Sequence, residues 1–259
     1  MLTVRALSKK ADSGRVLLDG VSFSVREGEF VGILGASGAG KTLTIRAIAG
    51  LTDVDAGECA FTGEDGTTHD TTKVRGERLR IARRQIGMIF QGLQLVKRLS
   101  AIENVMIGRL GHISPLRSWL YGFTDREARE ALEALDRVQM AAFADRVTGS
   151  LSGGEMQRVA IARAIFQQPR LYLADEPIAN LDPKNGEDIM RLLQSLSRES
   201  LVAGAFHQPE MTSRYCTRVI GIRSGAVVYD GPPRLSHAQL KEIYGTELEG
   251  LKGAEATHA

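Results

Sequence analysis

Two glycine-rich segments carry chemistry in this chain. Gly35-Ala36-Ser37-Gly38-Ala39-Gly40-Lys41-Thr42 fits the pattern G-x-x-x-x-G-K-[ST]. In that pattern backbone N–H groups wrap a nucleotide's phosphates, the lysine reaches the β- and γ-phosphates, and the hydroxyl faces Mg²⁺. Leu151-Ser152-Gly153-Gly154-Glu155 reads as a helix start whose free amides hold a second phosphate edge. A capping serine alone does not need two glycines, each of which costs a helix about 1 kcal/mol against alanine. The pair makes sense where something approaches the backbone closely. Two phosphate-binding ends on one chain point to two copies closing around ATP.

A third group follows an apolar run. Leu171-Tyr172-Leu173-Ala174 ends in Asp175, and Glu176 comes next. Asp175 is placed to hold Mg²⁺, commonly through water, and Glu176 to polarise an attacking water. An acidic pair at a strand end is just as often a solvated surface; the phosphate loop upstream favours the catalytic reading. Gln91 and His207 each stand near the end of an apolar stretch, and local sequence assigns a role to neither.

These residues need elements to present them. Leu2, Val4 and Ala6, and then Val21, Phe23 and Val25, alternate with polar residues as strands do. Phe30 to Leu34 is a buried strand running into the phosphate loop, and Lys41 to Ala49 a helix with Gly50 as its C-cap. Residues 55–80, rich in Gly, Thr and Asp, read as a β meander with loops. From about Gln91 to Ser150 the pattern turns helical. Thr124 to Glu127 is a capping box, with Ala128, Ala131, Leu132, Leu135 and Val138 as one apolar stripe behind it. A second box, Ser152 to Glu155, opens a helix to Phe166, and Asp182-Pro183 opens another. Strands resume at Leu201 to Phe206 and at Arg218 to Ile222; the latter pairs with Ala226 to Tyr229 through a Ser224-Gly225 turn. Alternating strands and helices indicate a mostly parallel sheet interrupted by a helical insertion. The residues from about Glu249 on read as a frayed tail.

Composition narrows the partners. The 259 residues suffice for a large buried core, and 43% hydrophobic with 25% charged is ordinary for a globular protein. The formal net charge of +2 argues against heavy nucleic-acid contact. Two cysteines, Cys59 and Cys216, make neither a disulfide framework nor a zinc site and read as reduced thiols. No apolar run approaches the roughly 20 residues of a membrane span, and Met1 to Arg5 does not open an export signal. Any membrane part is therefore expected from other subunits.

Taken in order, the motifs resemble the nucleotide-binding subunits of ABC transporters. They are the phosphate loop at 35–42, Gln91 in Ile89-Phe90-Gln91, Leu151 to Glu155, Leu171 to Glu176, Ala179-Asn180-Leu181-Asp182, and His207. The resemblance covers nearly the whole chain. It implies an α/β fold: a P-loop NTPase core of ABC type with an N-terminal antiparallel β subdomain and an inserted helical subdomain. Core and β subdomain then take 1–90 and 158–248, the helical subdomain about 91–157, and a tail 249–259. It implies a head-to-tail homodimer with two ATP sites, each joining one chain's phosphate loop to the other's Ser152-Gly153-Gly154. Lys41, Glu176 and His207 are the implied catalytic residues, with His207 on the γ-phosphate. Thr42, Gln91 and Asp175 are implied to hold Mg²⁺, Gln91 to couple to a membrane subunit, and Asp182 to make a cross-dimer contact.

The resemblance sharpens at Val96 to Val105, at Ile107-Gly108-Arg109-Leu110-Gly111 and at an insertion around Pro115 to Phe123 containing Trp119. These segments look like the phosphonate importer ATPase family, which includes relatives that import phosphite and hypophosphite. That family implies two transmembrane permease subunits, a solute-binding protein reached indirectly, and the cytoplasmic face of the bacterial inner membrane. An exporter or lipoprotein-release ATPase shares every catalytic motif. A soluble ABC ATPase of DNA repair or translation, and a P-loop kinase, are rivals of other classes; the kinase leaves Ser152 to Glu155 without a purpose. Two positions depart from the family pattern. No aromatic ring stands near Ala11 to stack on adenine, which leaves Arg15 for that role or makes base recognition loose. Leu43 replaces a usual threonine, removing one phosphate hydrogen bond of about 1 kcal/mol.

Overall fold

The computed structural model describes residues 1–63, 66–112, 123–179 and 181–247. At the N-terminus β1 (Leu2–Lys10) and β2 (Val16–Val25) pair antiparallel, with Leu2, Val4, Val21, Phe23 and Val25 buried on one face. The expected alternation slips at Ala6, which is exposed while Leu7 takes the buried place. Ala6 adopts φ 46° at a break in the β1–β2 register. Such a bulge moves the following side chains by one position and so exchanges the two faces.

The fully apolar strand β3 (Phe30–Leu34) leads through the phosphate loop into α1 (Lys41–Ile48), with Gly50 left-handed just beyond it at φ 65°. Next come β4 (Ala56–Thr62) and β5 (Thr68–Asp70). The meander expected through residue 80 stops there, because α2 (Gly76–Arg84) follows. Only Ala82 of α2 is buried, so the segment has no apolar stripe to betray its period. Strand β6 (Ile86–Ile89) then carries the chain to Gln91.

The helical block contains α3 (Ala101–Met106), capped by Ser100 and Glu103, and α4 (Asp125–Arg137), capped by Thr124 and Glu127. It continues into α5 (Gly153–Phe166), capped by Ser152 and Glu155. On α4 the buried stripe is Ala131, Ala134 and Leu135, with Val138 at the C-cap, whereas Leu132 is 42% exposed. The stripe is thus rotated slightly from the expected one, since Leu132 and Ala128 fall at its edge. The remaining elements are β7 (Leu171–Asp175), α6 (Pro183–Leu196), β8 (Leu201–Ala205), α7 (Pro209–Tyr215), β9 (Arg218–Arg223), β10 (Ala226–Gly231) and α8 (His237–Tyr244). The Pro115 to Phe123 insertion, except Phe123, and the tail from Glu249 lie outside the described residues.

The strands form two sheets. One is antiparallel, ordered β2-β1-β4-β5; the other is ordered β10-β9-β3-β8-β7-β6 and is parallel except for β10 on β9. Every residue of β3, β7 and β8 is buried, as expected of parallel strands covered on both faces. Helix α1 lies between the sheets and touches β2, β4, β7 and β8. It packs into one core with Leu2, Val4, Ile33 and Leu173. On the other face Ala131, Leu135, Val159, Phe166, Met190 and Phe206 share a second core, which joins the helical block to the parallel sheet. Because β3, β6, β7 and β8 run the same way, their C-terminal ends deliver the phosphate loop, Gln91, Asp175-Glu176 and His207 to one edge.

The corrected stripe has a direct test. Leu135→Ala should destabilise the chain by about 2–5 kcal/mol as a buried cavity mutation, and Leu132→Ala by no more than about 0.5 kcal/mol as a surface change. Urea unfolding of both variants measures this, and equal losses would put both leucines on the buried face.

Candidate functional site

The phosphate loop is shaped by close backbone approach. A Cβ at Gly35 would lie 2.2 Å from the Ile222 carbonyl oxygen, so only glycine lets β3 turn away beside β9. Gly40 sits at φ 110°, and a Cβ there would meet Leu18 Cδ2 at 2.9 Å. The turn brings Lys41 back under its own loop. Its ammonium donates to the carbonyls of Gly35 (2.7 Å) and Ala36 (3.0 Å), and Lys41 is only 4% exposed. Burial pulls the Lys41 pKa below the usual lysine range, opposed by the charges of Glu176, Asp175 and Glu247.

The strand ends complete the cluster. Thr42 donates its hydroxyl to Asp175 Oδ1 at 2.7 Å. Asp175 is 1% exposed, and its Oδ2 is buried without a hydrogen-bond partner, the nearest cation being Arg46 Nε at 3.9 Å. Burial raises the Asp175 pKa, partly offset by the Thr42 hydroxyl and Arg46. An orphaned carboxylate oxygen beside a threonine hydroxyl is an oxygen donor set that suits a hard divalent cation. Glu176 has φ 51°, a left-handed conformation that a non-glycine residue adopts at a cost of about 1–2 kcal/mol. Its N–H donates to the Ala205 carbonyl, and its carboxylate accepts from Gln91 Nε2 at 2.7 Å and contacts His207 Nε2. His207 Nδ1 faces Lys41 Nζ at 3.4 Å. Lys41, Thr42, Gln91, Asp175, Glu176 and His207 therefore form one connected group.

Ser152, Gly153, Gly154 and Asp182 form another. The Ser152 hydroxyl accepts from the Glu155 N–H, and Glu155 Oε2 accepts from the Ser152 N–H at 2.7 Å. Ser152 and Gly153 are exposed, and a Cβ on Gly153 would meet nothing within 4 Å. A Cβ on Gly154 would meet the Asn185 amide at 3.4 Å, and Asn185 in turn donates to both Asp182 oxygens. Those hydrogen bonds hold the Asp182 carboxyl below its usual range. Among the described residues no hydrogen bond or ion pair joins this group to the Lys41 group. Asn180 lies outside the described residues.

Three side chains that sequence reasoning passed over support the site. Arg163 of α5 donates to the carbonyls of Leu93 and Gln94, both left-handed at φ 59° and 52°, and so grips the loop after Gln91. Buried Asn104 links Val96 and Ser100 to Thr148, tying the start of α3 to the approach to Ser152. Arg46 of α1 approaches Asp175. No spacing rule marks these residues, although the buried amide in a short helix was a signal. The two departures take plain places. Residues Ala11 to Arg15 make a tight turn with an exposed Arg15, and Leu43 packs against the core between the sheets.

Fold and site together define a nucleotide-binding cassette: a P-loop at one strand end, with acid, amide and imidazole delivered by its neighbours. The ABC transporter family matches residues 18–179. The phosphonates import ATP-binding protein PhnC 2 of Synechococcus sp. (strain JA-2-3B'a(2-13)) is 42% identical over 251 residues, 95% of this chain and 91% of that protein. The phosphonates import ATP-binding protein PhnC of Bordetella parapertussis is 41% identical over 249 residues, 95% of this chain and 97% of that protein. Among solved structures, the dimeric bacterial ABC transporter cassette MJ0796 superposes with a TM-score of 0.78 at 32% identity, covering 91% of this chain and all of that one. The same cassette as a post-hydrolysis dimer with ADP and Pi gives 0.77 at 31% identity over the same coverage. The chain belongs to the ABC transporter family, among the ATP-binding proteins of phosphonate import.

The orphaned Asp175 oxygen makes a prediction about stability. Its folded pKa is raised, so the folded chain holds the proton more tightly than the unfolded chain. Stability from this group is fully present below the ordinary carboxylate range and is lost as pH rises through the raised value. At neutral pH the charge opposes folding, so Asp175→Asn should raise the metal-free melting temperature by about 2–4 °C, the shift that about 1 kcal/mol gives a domain of this size. Calorimetry in EDTA measures it; a lower melting temperature would mean that Thr42 and Arg46 stabilise the carboxylate more than burial penalises it.

Proposed function

We propose that this chain is the ATP-hydrolysing subunit that powers a membrane importer of phosphonates or of the related reduced phosphorus oxyanions phosphite and hypophosphite. The observation that carries this reading is the convergence of Lys41, Asp175, Glu176, Gln91 and His207 at one sheet edge. It is joined to a likeness of 41–42% identity across 95% of the chain with phosphonates import proteins. Among the described residues no helix is long and apolar enough to cross a membrane. Two transmembrane permease subunits therefore supply the passage, and a solute-binding protein delivers cargo to them. The chain works as a homodimer on the cytoplasmic face of the bacterial inner membrane. Residues 1–90 and 158–248 hold ATP, and about 91–157 form the arm that meets the permease.

Each residue then has a task. The phosphate loop, Gly35 to Thr42, wraps the phosphates with its N–H groups, and the Lys41 ammonium exchanges its two carbonyl partners for phosphate oxygens. Thr42, Asp175 and Gln91 would hold Mg²⁺, which would supply positive charge to offset that of the phosphates. Glu176 accepts a proton from the attacking water as a general base. His207 steadies the γ-phosphate and, by its contact with Glu176, orients that base. Exposed Ser152, Gly153 and Gly154 of the second copy bring the start of α5 to the γ-phosphate, with Asp182 contacting across the dimer. The empty space around Gly153 fits an approach from outside the chain. Phosphoryl transfer of this kind depends on positioning and charge more than on covalent chemistry.

Glu176→Gln keeps the size of the side chain and one acceptor oxygen for Gln91 or His207, and cannot take a proton. It should bind ATP, turn it over about 10²-fold or more slowly, and accumulate as an ATP-bound dimer in size-exclusion chromatography. Turnover at the wild-type rate would remove Glu176 from the role of base. In the reconstituted transporter, cargo preference among methylphosphonate, phosphite and hypophosphite should follow the solute-binding protein. Exchanging this chain for a relative while keeping that protein should leave the uptake ratios unchanged; altered ratios would mean that the ATPase takes part in selection.

A further inference from the structure

Helix α2 turns arginines toward a cleft. Gly76, Leu79, Arg80, Arg83 and Arg84 fall on one helical stripe, the stripe that an ordinary surface helix fills with apolar residues. Here they line a cleft of about 430 Å³, walled on its other side by Gly111 and His112 and at one end by Gln167. Gln167 fixes α2 in place: its Nε2 donates to the carbonyls of Arg83 and Arg84 at 3.0 Å each and of Ile86 at 2.9 Å. That amide meets the last carbonyls of the helix, so capping does not occupy its arginines.

Much of the charge on this wall is unmet. Arg80 is paired with Glu77 through two hydrogen bonds of 2.7 Å and reaches the Gly111 carbonyl at 3.3 Å. Arg83 donates only to the carbonyls of Ala49 and Gly50. Among the described residues the Arg84 guanidinium has neither a hydrogen bond nor an ion pair, and its Nε is buried without a partner. The turn after α3 lies against this side chain, since a Cβ on Gly111 would stand 3.8 Å from Arg84 Cγ. Burial, then the charges of Arg84 and Arg109, lower the His112 pKa and keep its ring neutral at pH 7. Arg109 itself is turned to Glu130 and to the Phe166 ring. No carboxylate lines the cleft among the described residues. Two guanidiniums that lack a carboxylate, side by side on a partly buried wall, are a costly arrangement unless an anion joins them.

We propose that this cleft is an anion site, in which the Arg84 guanidinium, with Arg83 beside it and His112 on the facing wall, takes a tetrahedral phosphorus oxyanion: inorganic phosphate or a phosphonate. The guanidinium fork matches two oxygens of such an anion. Two unpaired cations favour a ligand of more than one charge, which these anions approach at neutral pH and a carboxylate does not. An anion held there touches both α2 and the turn after α3, and so ties the phosphate-loop side of the chain to the helical block. The site shares no residue with the Lys41 group, and the inference stands whether or not that group hydrolyses ATP.

The full chain, saturated with Mg²⁺ and a non-hydrolysable ATP analogue so that the phosphate loop is filled, is titrated calorimetrically with inorganic phosphate and separately with methylphosphonate at fixed ionic strength. One or both should bind, and the one that binds more tightly identifies the source. In Arg84→Gln the affinity should fall about tenfold or more, the loss expected of a hydrogen bond to a charged group. Arg84→Lys, which keeps the charge and loses the fork, should fall between that variant and wild type. Arg78→Gln is the control: it removes the same charge from an exposed position off the stripe and should leave affinity within about twofold, because an exposed charge is screened. In histidine-labelled NMR spectra the bound anion should raise the His112 pKa, since it favours the imidazolium form, and Arg84→Gln should abolish that rise. The proposal is overturned if neither anion binds, if Arg78→Gln loses as much affinity as Arg84→Gln, or if the anions move the His207 signals and leave those of His112 unchanged, which would put them at Lys41.

Discussion

A buried ammonium organises this molecule. Removing a lysine from water is costly unless its charge is met. Here two loop carbonyls, from Gly35 and Ala36, take the Lys41 protons, and two carboxylates, Asp175 and Glu176, stand close enough to act on its charge. That arrangement needs a loop that doubles back on itself, hence the glycines, and neighbouring strands whose ends all face the same way. The parallel order β3-β8-β7-β6 meets the second need. An antiparallel sheet would have sent alternate strand ends to opposite edges and scattered the acids. The long crossover connections of this topology are thus a consequence of gathering charge at one place.

The same economy leaves the free chain poised but incomplete. Glu176 is engaged by Gln91 and His207, and Asp175 keeps one oxygen buried and unpaired. Lys41 is bound to carbonyls of its own loop. Each of these contacts is replaceable: the carbonyls by phosphate oxygens, the lone carboxylate oxygen by a cation. The exposed helix start at Ser152 has the opposite character, with Ser152 and Glu155 bonded to each other and open space above Gly153. Internal tension sits on the Lys41 side and free surface on the Ser152 side.

Much of this was legible in the residues themselves, and the reasons divide cleanly. The phosphate loop, the capping boxes at Thr124 and Ser152 and the strand into Asp175 follow from local chemistry, because a turn, a cap and a buried apolar run each demand particular residue types nearby. Helix α2 was not legible, since Gly76 to Arg84 buries only Ala82 and so carries no hydrophobic period. The bulge at Ala6 hides because alanine suits either face of a strand; the switch to Leu7 is fixed by the register with β2 and β4. The left-handed Glu176 is likewise invisible locally: its φ is imposed by the bond from its N–H to Ala205 on the adjacent strand. Arg163 and Asn104 act across 69 to 70 and up to 44 residues of chain, distances over which no spacing motif speaks.

Those long-range contacts also indicate how the helical block and the ATP edge are joined. Arg163 lies on α5, the helix that Ser152 opens, and its guanidinium holds the carbonyls of Leu93 and Gln94 immediately beyond Gln91. Asn104 holds Val96 and Ser100 on one side and Thr148 on the other. The segment between Gln91 and α3 is therefore fastened to α5 at one end and to the approach to Ser152 at the other. Because Gln91 itself bonds Glu176, a shift of the helical block relative to the sheet is felt first at that bond. The two left-handed residues, Leu93 and Gln94, are the natural place for such a shift to be absorbed: strained backbone gives way before packed side chains do. The helical block and Glu176 are thus joined by one chain of contacts, carried by a short loop clamped at both ends.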